Sequence, residues 1–135
     1  MNQRYRPLWA AATVALAITT PSYADGVAAA GQQLYATRCA ACHSLEFNSV
    51  GPTHKNLMGR RAGTVPGFTY SQALKDSGVV WNQETLSRWL TDPEKFVPGQ
   101  KMFVSVPDAR ERADIVAYLL LVAGPQRTQA TRTGE

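Results

Sequence analysis

Residues 38–45 read RCAACHSL and hold both cysteines of the chain, Cys39 and Cys42, and one of its two histidines, His43. Three chemistries use two thiols at this spacing: a redox dithiol, part of a zinc site, or a covalent anchor for haem. A thioredoxin-type dithiol expects a strand before it and a sheet around it, whereas a helical pattern precedes this motif. Zinc asks for four ligands in tetrahedral closure. Cys39, Cys42, His43 and His54 reach that number, yet the adjacent Cys42 and His43 are poorly placed to chelate one small ion together, and the chain has no second cysteine pair. Haem uses every residue of the motif. Cysteines at i and i+3 share one face of a helix and reach two vinyl groups along one porphyrin edge, and His43, one position on, swings its imidazole to the iron.

The N-terminus differs from the rest of the 135 residues. Arg4 and Arg6 precede the apolar run LWAAATVALAIT, Pro21 follows it, and Ser22 and Ala24 supply the small residues of a cleavage site. This is the pattern of a secretory signal peptide over residues 1–24, cleaved after Ala24, and it predicts export to the periplasm. The run is shorter than the roughly 18 apolar residues of a membrane anchor, so no stable membrane insertion is expected. Losing Arg4 and Arg6 lowers the formal charge from +4 to +2. The remaining basic residues are scattered apart from Arg60-Arg61, without the clustering that phosphate backbones demand, so nucleic acid is not an expected partner. In an oxidising compartment a disulfide across two residues closes only a tiny loop and contributes little stability, which marks these cysteines as chemical rather than structural.

The pattern after residue 24 predicts one mostly helical domain over residues 25–124. The first helix is expected from about Val27 to Ala41, with Val27, Gly31, Leu34, Tyr35 and Arg38 on one face. A loop rich in Gly and Pro spans Ser44 to Thr69, of the kind that wraps something or carries function. A short helix within YSQALKDSG ends at Gly78. Asn82 is a candidate N-cap for a helix with the apolar stripe Leu86, Trp89 and Leu90, stopped by Pro93. After the loop EKFVPGQKMFVSVP, Asp108 and Glu111 have capping-box spacing and open a last helix to about Ala123, with Ile115, Tyr118, Leu119 and Val122 at i, i+3, i+4 and i+7. Residues 125–135 have no apolar periodicity and are expected to be a disordered tail. A few short helices and long loops make a thin core, and a large apolar group at the centre meets that need.

The second axial ligand decides what such a haem does. An open position binds small molecules or peroxide, whereas His/Met ligation suits electron transfer. Beyond the leader only Met58, Met102 and the spare His54 are candidates. Met102 lies in the Pro-Gly loop VPGQKM, far along the chain, where it can fold over the opposite haem face. Met58 reads as a core residue.

Taken in order, GQQLYATRCAACH, VGP, GRRAGTVPGFTYS, SGVVW, TLSRWLTDP, VPGQKM and RADIVAYL resemble class I cytochrome c, in its mitochondrial cytochrome c and bacterial cytochrome c2-like branch, from Gly31 to Val122. The resemblance implies an all-α fold of three main helices plus long loops wrapped around one covalently bound haem c. It makes His43 and Met102 the iron ligands and Pro52 the residue whose carbonyl accepts the His43 ring N–H. It gives Tyr70 and Trp81 as hydrogen-bond donors to a haem propionate and Arg60 as the offset to propionate charge. Gly31 and Tyr118 match the crossing of the first and last helices. Four positions depart from the family pattern: His54 replaces an apolar haem contact, Leu74 a common Asn, Trp89 a Tyr near the Met ligand, and Glu94 a Lys. The loop between His43 and Pro52 is also shorter than in mitochondrial members.

The implied function is a periplasmic single-electron carrier, not an enzyme, and a monomer. Its expected partners are redox proteins such as a cytochrome bc1 complex, a terminal oxidase or a periplasmic dehydrogenase. Arg38, Lys95 and Lys101 match family docking positions around the haem edge and predict weak, salt-sensitive encounter. The alternative is a dedicated electron-accepting subunit held on one dehydrogenase. A peroxidase requires Met102 to be off the iron.

Overall fold

The computed structural model describes residues 26–124, so the expected signal peptide over 1–24 and tail over 125–135 lie outside the described residues. Five helices follow one another: α1 (Ala28–Arg38), α2 (Gln72–Asp76), α3 (Gln83–Thr91), α4 (Pro93–Phe96) and α5 (Ala109–Val122). Among the described residues the sheet component is a single antiparallel bridge between Arg61 and Val80, and no helix is long and apolar enough to cross a membrane.

The frame is the packing of α1 on α5, with α3 against α5. Gly31 makes the first contact possible: a Cβ there would lie 1.9 Å from the Asp114 carbonyl oxygen. Close approach brings Tyr35 against Tyr118, ring centroids 5.4 Å apart. It also lets the buried Asp114 carboxylate accept the Val27 N–H at 2.6 Å, satisfying a donor that α1 leaves unpaired at its start. The core then runs from Tyr35 through Leu57, Met58, Trp81, Leu86, Trp89 and Leu90 to Ile115, Val116 and Leu119. Met58 is in that core, as its sequence context suggested.

Helix ends follow the cap chemistry, with three corrections. Asn82 and Thr85 form a reciprocal capping box on α3, and Ser71 caps α2, which closes before Gly78 at φ +68°. Expectation and structure differ first at α1, which ends at Arg38 rather than Ala41: the Tyr35 carbonyl accepts from both Cys39 and Ala40, and that shared bond ends the regular ladder. The second difference is Pro93, which opens α4 instead of only stopping α3. Proline is tolerated at the first helical position because its missing N–H would have no partner there, and Asp92 caps the turn by accepting from the Lys95 N–H. The third is the Asp108–Glu111 box, of which one half forms. Asp108 accepts from the Arg110 and Glu111 N–H groups, while the Glu111 carboxylate pairs with Arg38 at 2.7 Å.

The loop over 44–69 is held by backbone pairing along its later part. Gly59 N–H donates to Trp81 O, Trp81 N–H to Arg60 O and Ala62 N–H to Val79 O, all at 2.8–2.9 Å. This strap sets Arg60 beside Trp81, although they are far apart in the chain.

Candidate functional site

Cys39 and Cys42 lie just past α1, not on it. The Cys39 carbonyl accepts from both Cys42 N–H (3.1 Å) and His43 N–H (2.9 Å), so one tight turn keeps the i, i+3 relation that a shared helix face was expected to supply. Burial, opposed by Arg38, pushes the Cys39 thiol up to about 11. A thiol held protonated is a poor thiolate nucleophile, which disfavours the redox-dithiol reading for Cys39. Among the described residues no group of three or more His, Cys, Asp or Glu side chains could hold a metal ion.

His43 is held from several sides. Its Nδ1–H donates to the Pro52 carbonyl at 2.8 Å, so Nε2 is the nitrogen left with a lone pair for a metal. Gly51 gives the ring its space: a Cβ there would lie 2.3 Å from Cε1 of His43. Gly51 is itself fixed by donating its N–H to Cys42 O at 2.7 Å. Against His43 lies His54, stacked at 4.2 Å between centroids with 18° between ring planes. Burial first, then the neighbouring His43 and Arg60, push the His54 ring down to about 3. Desolvation likewise lowers His43, with the Pro52 bond opposing it. Both imidazoles are uncharged at neutral pH, the form in which a histidine binds metal.

Met102 is brought to the core by a differently built segment. It is partly buried, and its N–H donates to the side-chain carbonyl of Gln100. Gln100 is buried, and its amide in turn donates to Glu94 at 3.3 Å. The other Glu94 oxygen accepts the Gly99 N–H at 2.9 Å. Glu94, on the unforeseen helix α4, therefore organises the turn that carries Met102.

The proposed propionate group is partly assembled. Trp81 is buried at 7 % exposure and meets Trp89 edge-on at 5.5 Å. Tyr70 is buried, its hydroxyl raised by desolvation and lowered by the nearby Arg60 guanidinium. Arg60 is committed to backbone carbonyls, donating to Lys55 O at 2.5 Å and Thr53 O at 3.0 Å. Among the docking positions, Arg38 is bound to Glu111 and is not a free positive charge.

An imidazole with Nε2 left for a metal, two thiols three positions apart just before it and a partly buried Met102 on a distant segment fit a haem better than any small ion. The cytochrome c family model matches residues 28–123. This chain belongs to the cytochrome c family. It is 41% identical over 102 residues to cytochrome c type-1 of Ascaris suum, covering 73% of this chain and 91% of that protein. It is 39% identical over 109 residues to cytochrome c2 of Rhodomicrobium vannielii, covering 78% and 86%. Its structure resembles cytochrome cH from Methylobacterium extorquens with a TM-score of 0.68 and 48% identity, over 71% of this chain and 99% of that one. The fold is that of a class I cytochrome c, an electron carrier with one covalently attached haem c, and Cys39 and Cys42 have the attachment spacing.

What the sequence missed is the support. Nothing local in RCAACHSL announces the His54 stack, the Tyr35 hydroxyl bonded to His54 or the Glu94 bonds. The signals were present singly: a histidine where an apolar residue is usual, and a glutamate in place of a lysine.

Proposed function

We propose that this chain is a periplasmic single-electron carrier, exported through residues 1–24, in which His43 and Met102 are the axial ligands and no substrate is turned over. The observation that carries the reading is the 2.8 Å bond from His43 Nδ1 to Pro52 O, which directs Nε2 to the metal directly after the two cysteines. When bound, the haem supplies a one-electron Fe(III)/Fe(II) couple, and His/Met ligation sets it at a raised potential. The Cys39 and Cys42 thiols would hold the haem through two thioether bonds to its vinyl groups, an addition with no net redox change. His43 and Met102 would hold the iron from two sides, which would deny peroxide a binding place. Trp81 and Tyr70 offer donors to the propionates, and Arg60 offsets their charge. The partners are redox proteins such as a cytochrome bc1 complex, a terminal oxidase or a periplasmic dehydrogenase, met by a monomeric carrier.

Optical spectra of the ferric and ferrous holoprotein test this. A ferric sulfur-to-iron charge-transfer band that is lost in Met102→Ala is expected; its absence from the wild type, with carbon monoxide binding, would sink the carrier reading. Two observations favour a second reading, a subunit fixed on one dehydrogenase. Phe103, next to Met102, is 90 % exposed, an apolar side chain that a fixed partner would cover, and Arg38, an expected docking charge, is paired with Glu111, which leaves one fewer charge to steer free encounter. Size-exclusion of a native extract separates the two, since a free carrier elutes alone.

A further inference from the structure

His54 is not needed to bind a haem, and an apolar side chain would fill its place. Yet its ring is fixed by a set of contacts that reach the far side of the fold. Its backbone N–H donates to Ser44 O at 2.8 Å, tying it to the residue after His43. Its Nδ1 is hydrogen-bonded to the Tyr35 hydroxyl at 3.1 Å, and the two rings meet edge-on at 5.7 Å. Tyr35 is 6 % exposed and packs on Tyr118 at the crossing of α1 and α5. A column of four rings, Tyr118, Tyr35, His54 and His43, thus runs from the helical frame to the ligand.

The geometry gives that column a task. The bond from His43 to Pro52 fixes the direction of the ring N–H but leaves the imidazole able to rock about the N–H···O line. A ring stacked at 4.2 Å and 18° opposes that motion, because rotation drives the edge of one ring into the face of the other. The face of an uncharged imidazole is also electron-rich, and it attracts a neighbouring ring most when that ring carries positive charge. A ligand imidazole is more positive on ferric than on ferrous iron.

We propose that His54 and Tyr35 are positioning residues for His43: the Tyr35 hydroxyl holds the His54 ring, and that ring fixes the plane of the ligand imidazole and favours the oxidised centre. The pair therefore lowers the reduction potential relative to a chain with an apolar side chain at position 54. This rests on His43 being an iron ligand.

The test uses the holoprotein with haem attached, comparing wild type, His54→Leu, Tyr35→Phe and the double variant by redox titration and by ferric proton NMR of the haem methyl groups. The spread of methyl shifts reads the ligand plane, which a merely structural loss of stability does not move. His54→Leu is expected to shift the reduction equilibrium several-fold toward the ferrous form, tenfold being 59 mV for one electron, and to change the methyl pattern. Tyr35→Phe removes one hydroxyl from an otherwise unchanged ring, so it folds, and it shifts both readouts in the same sense by less. In the His54→Leu background Tyr35→Phe is expected to add nothing, since it acts through the missing ring. Reduction equilibrium constants within twofold of wild type with an unaltered methyl pattern overturn the proposal, as do additive shifts in the double variant. Loss of the sulfur-to-iron band in the wild type is a separate outcome that strikes the carrier reading and not the stack.

Discussion

The two arms that carry the proposed ligands His43 and Met102 differ in how they are held. Around His43 the restraints are backbone and rings: the Pro52 carbonyl, the space left by Gly51 and the stacked His54. Around Met102 they are side-chain hydrogen bonds from an exposed glutamate and a buried glutamine, and the chain runs straight on into exposed Phe103 and Val104. Backbone geometry and close packing resist local opening, whereas bonds at an exposed carboxylate compete with water. The difference predicts that the Met102 arm opens locally at lower cost than the His43 arm.

The strongest way to break the comparison is to strike the rigid arm. In Gly51→Ala the new methyl group meets the His43 ring, and overpacking of this kind costs about 1–3 kcal/mol. Thermal unfolding of the holoprotein should fall accordingly, and the His43 arm should lose its ordered ring. An unchanged melting temperature and spectrum would show that the arm is looser than its contacts imply.

Striking the other arm should cost less and act locally. Glu94→Ala removes the acceptor for Gly99 N–H and the Gln100 amide, roughly 1 kcal/mol after allowance for solvent. Amide exchange at Gly99 and Met102 should speed up and the sulfur-to-iron band should weaken on mild heating, while amides at Cys42 and His43 keep their rates. Equal acceleration in both arms would mean that they open as one unit.

Alkaline pH sharpens the picture on the His43 side. Burial, helped by Cys39 and Tyr118, raises the Tyr35 hydroxyl to about 12 from an ordinary value of 10.0. A raised folded value means the unfolded chain loses this proton first. The stabilisation is full below pH 10 and is lost as pH rises toward 12, at about 1.4 kcal/mol per pH unit when one proton separates the two states. Tyr35→Phe should remove that part of the alkaline slope in chemical denaturation, and an identical slope in both proteins would refute the assignment.

The smallest effect concerns docking charge. With Arg38 paired to Glu111, Lys95 and Lys101 are the other two expected docking positions, and in sequence both flank the Met102 turn. Oxidation of the ferrous protein by anionic ferricyanide should slow modestly as salt rises, and Lys101→Gln should slow it at low salt. Arg38→Gln should change it less. A larger effect from Arg38 would show that its ion pair is open in solution.

Local chemistry was the readable part. The Cys39–His43 spacing, the caps at Asn82 and Asp108, the stripe Leu86-Trp89-Leu90 and the core face of α5 each depend on residues within about four positions of one another. Where a local rule has two outcomes, reading stops short. Pro93 ends one helix and begins the next, and only the Asp92 cap decides that a helix follows. Glu111 has two possible uses, and the nearness of Arg38 across the α1–α5 crossing settles which one its carboxylate takes.

The sequence by itself therefore determined the attachment spacing of Cys39 and Cys42 and the order of four of the five helices, α4 excepted, because those follow from periodicity and from neighbours along the chain. Tertiary structure alone decided the rest. The bond of Asp114 to Val27, the Tyr35–His54–His43 column and the strap that sets Arg60 beside Trp81 each join segments distant in sequence. Their partners are chosen by how closely two helices approach at Gly31 and by where a long loop is pinned, distances that no pattern along one segment encodes.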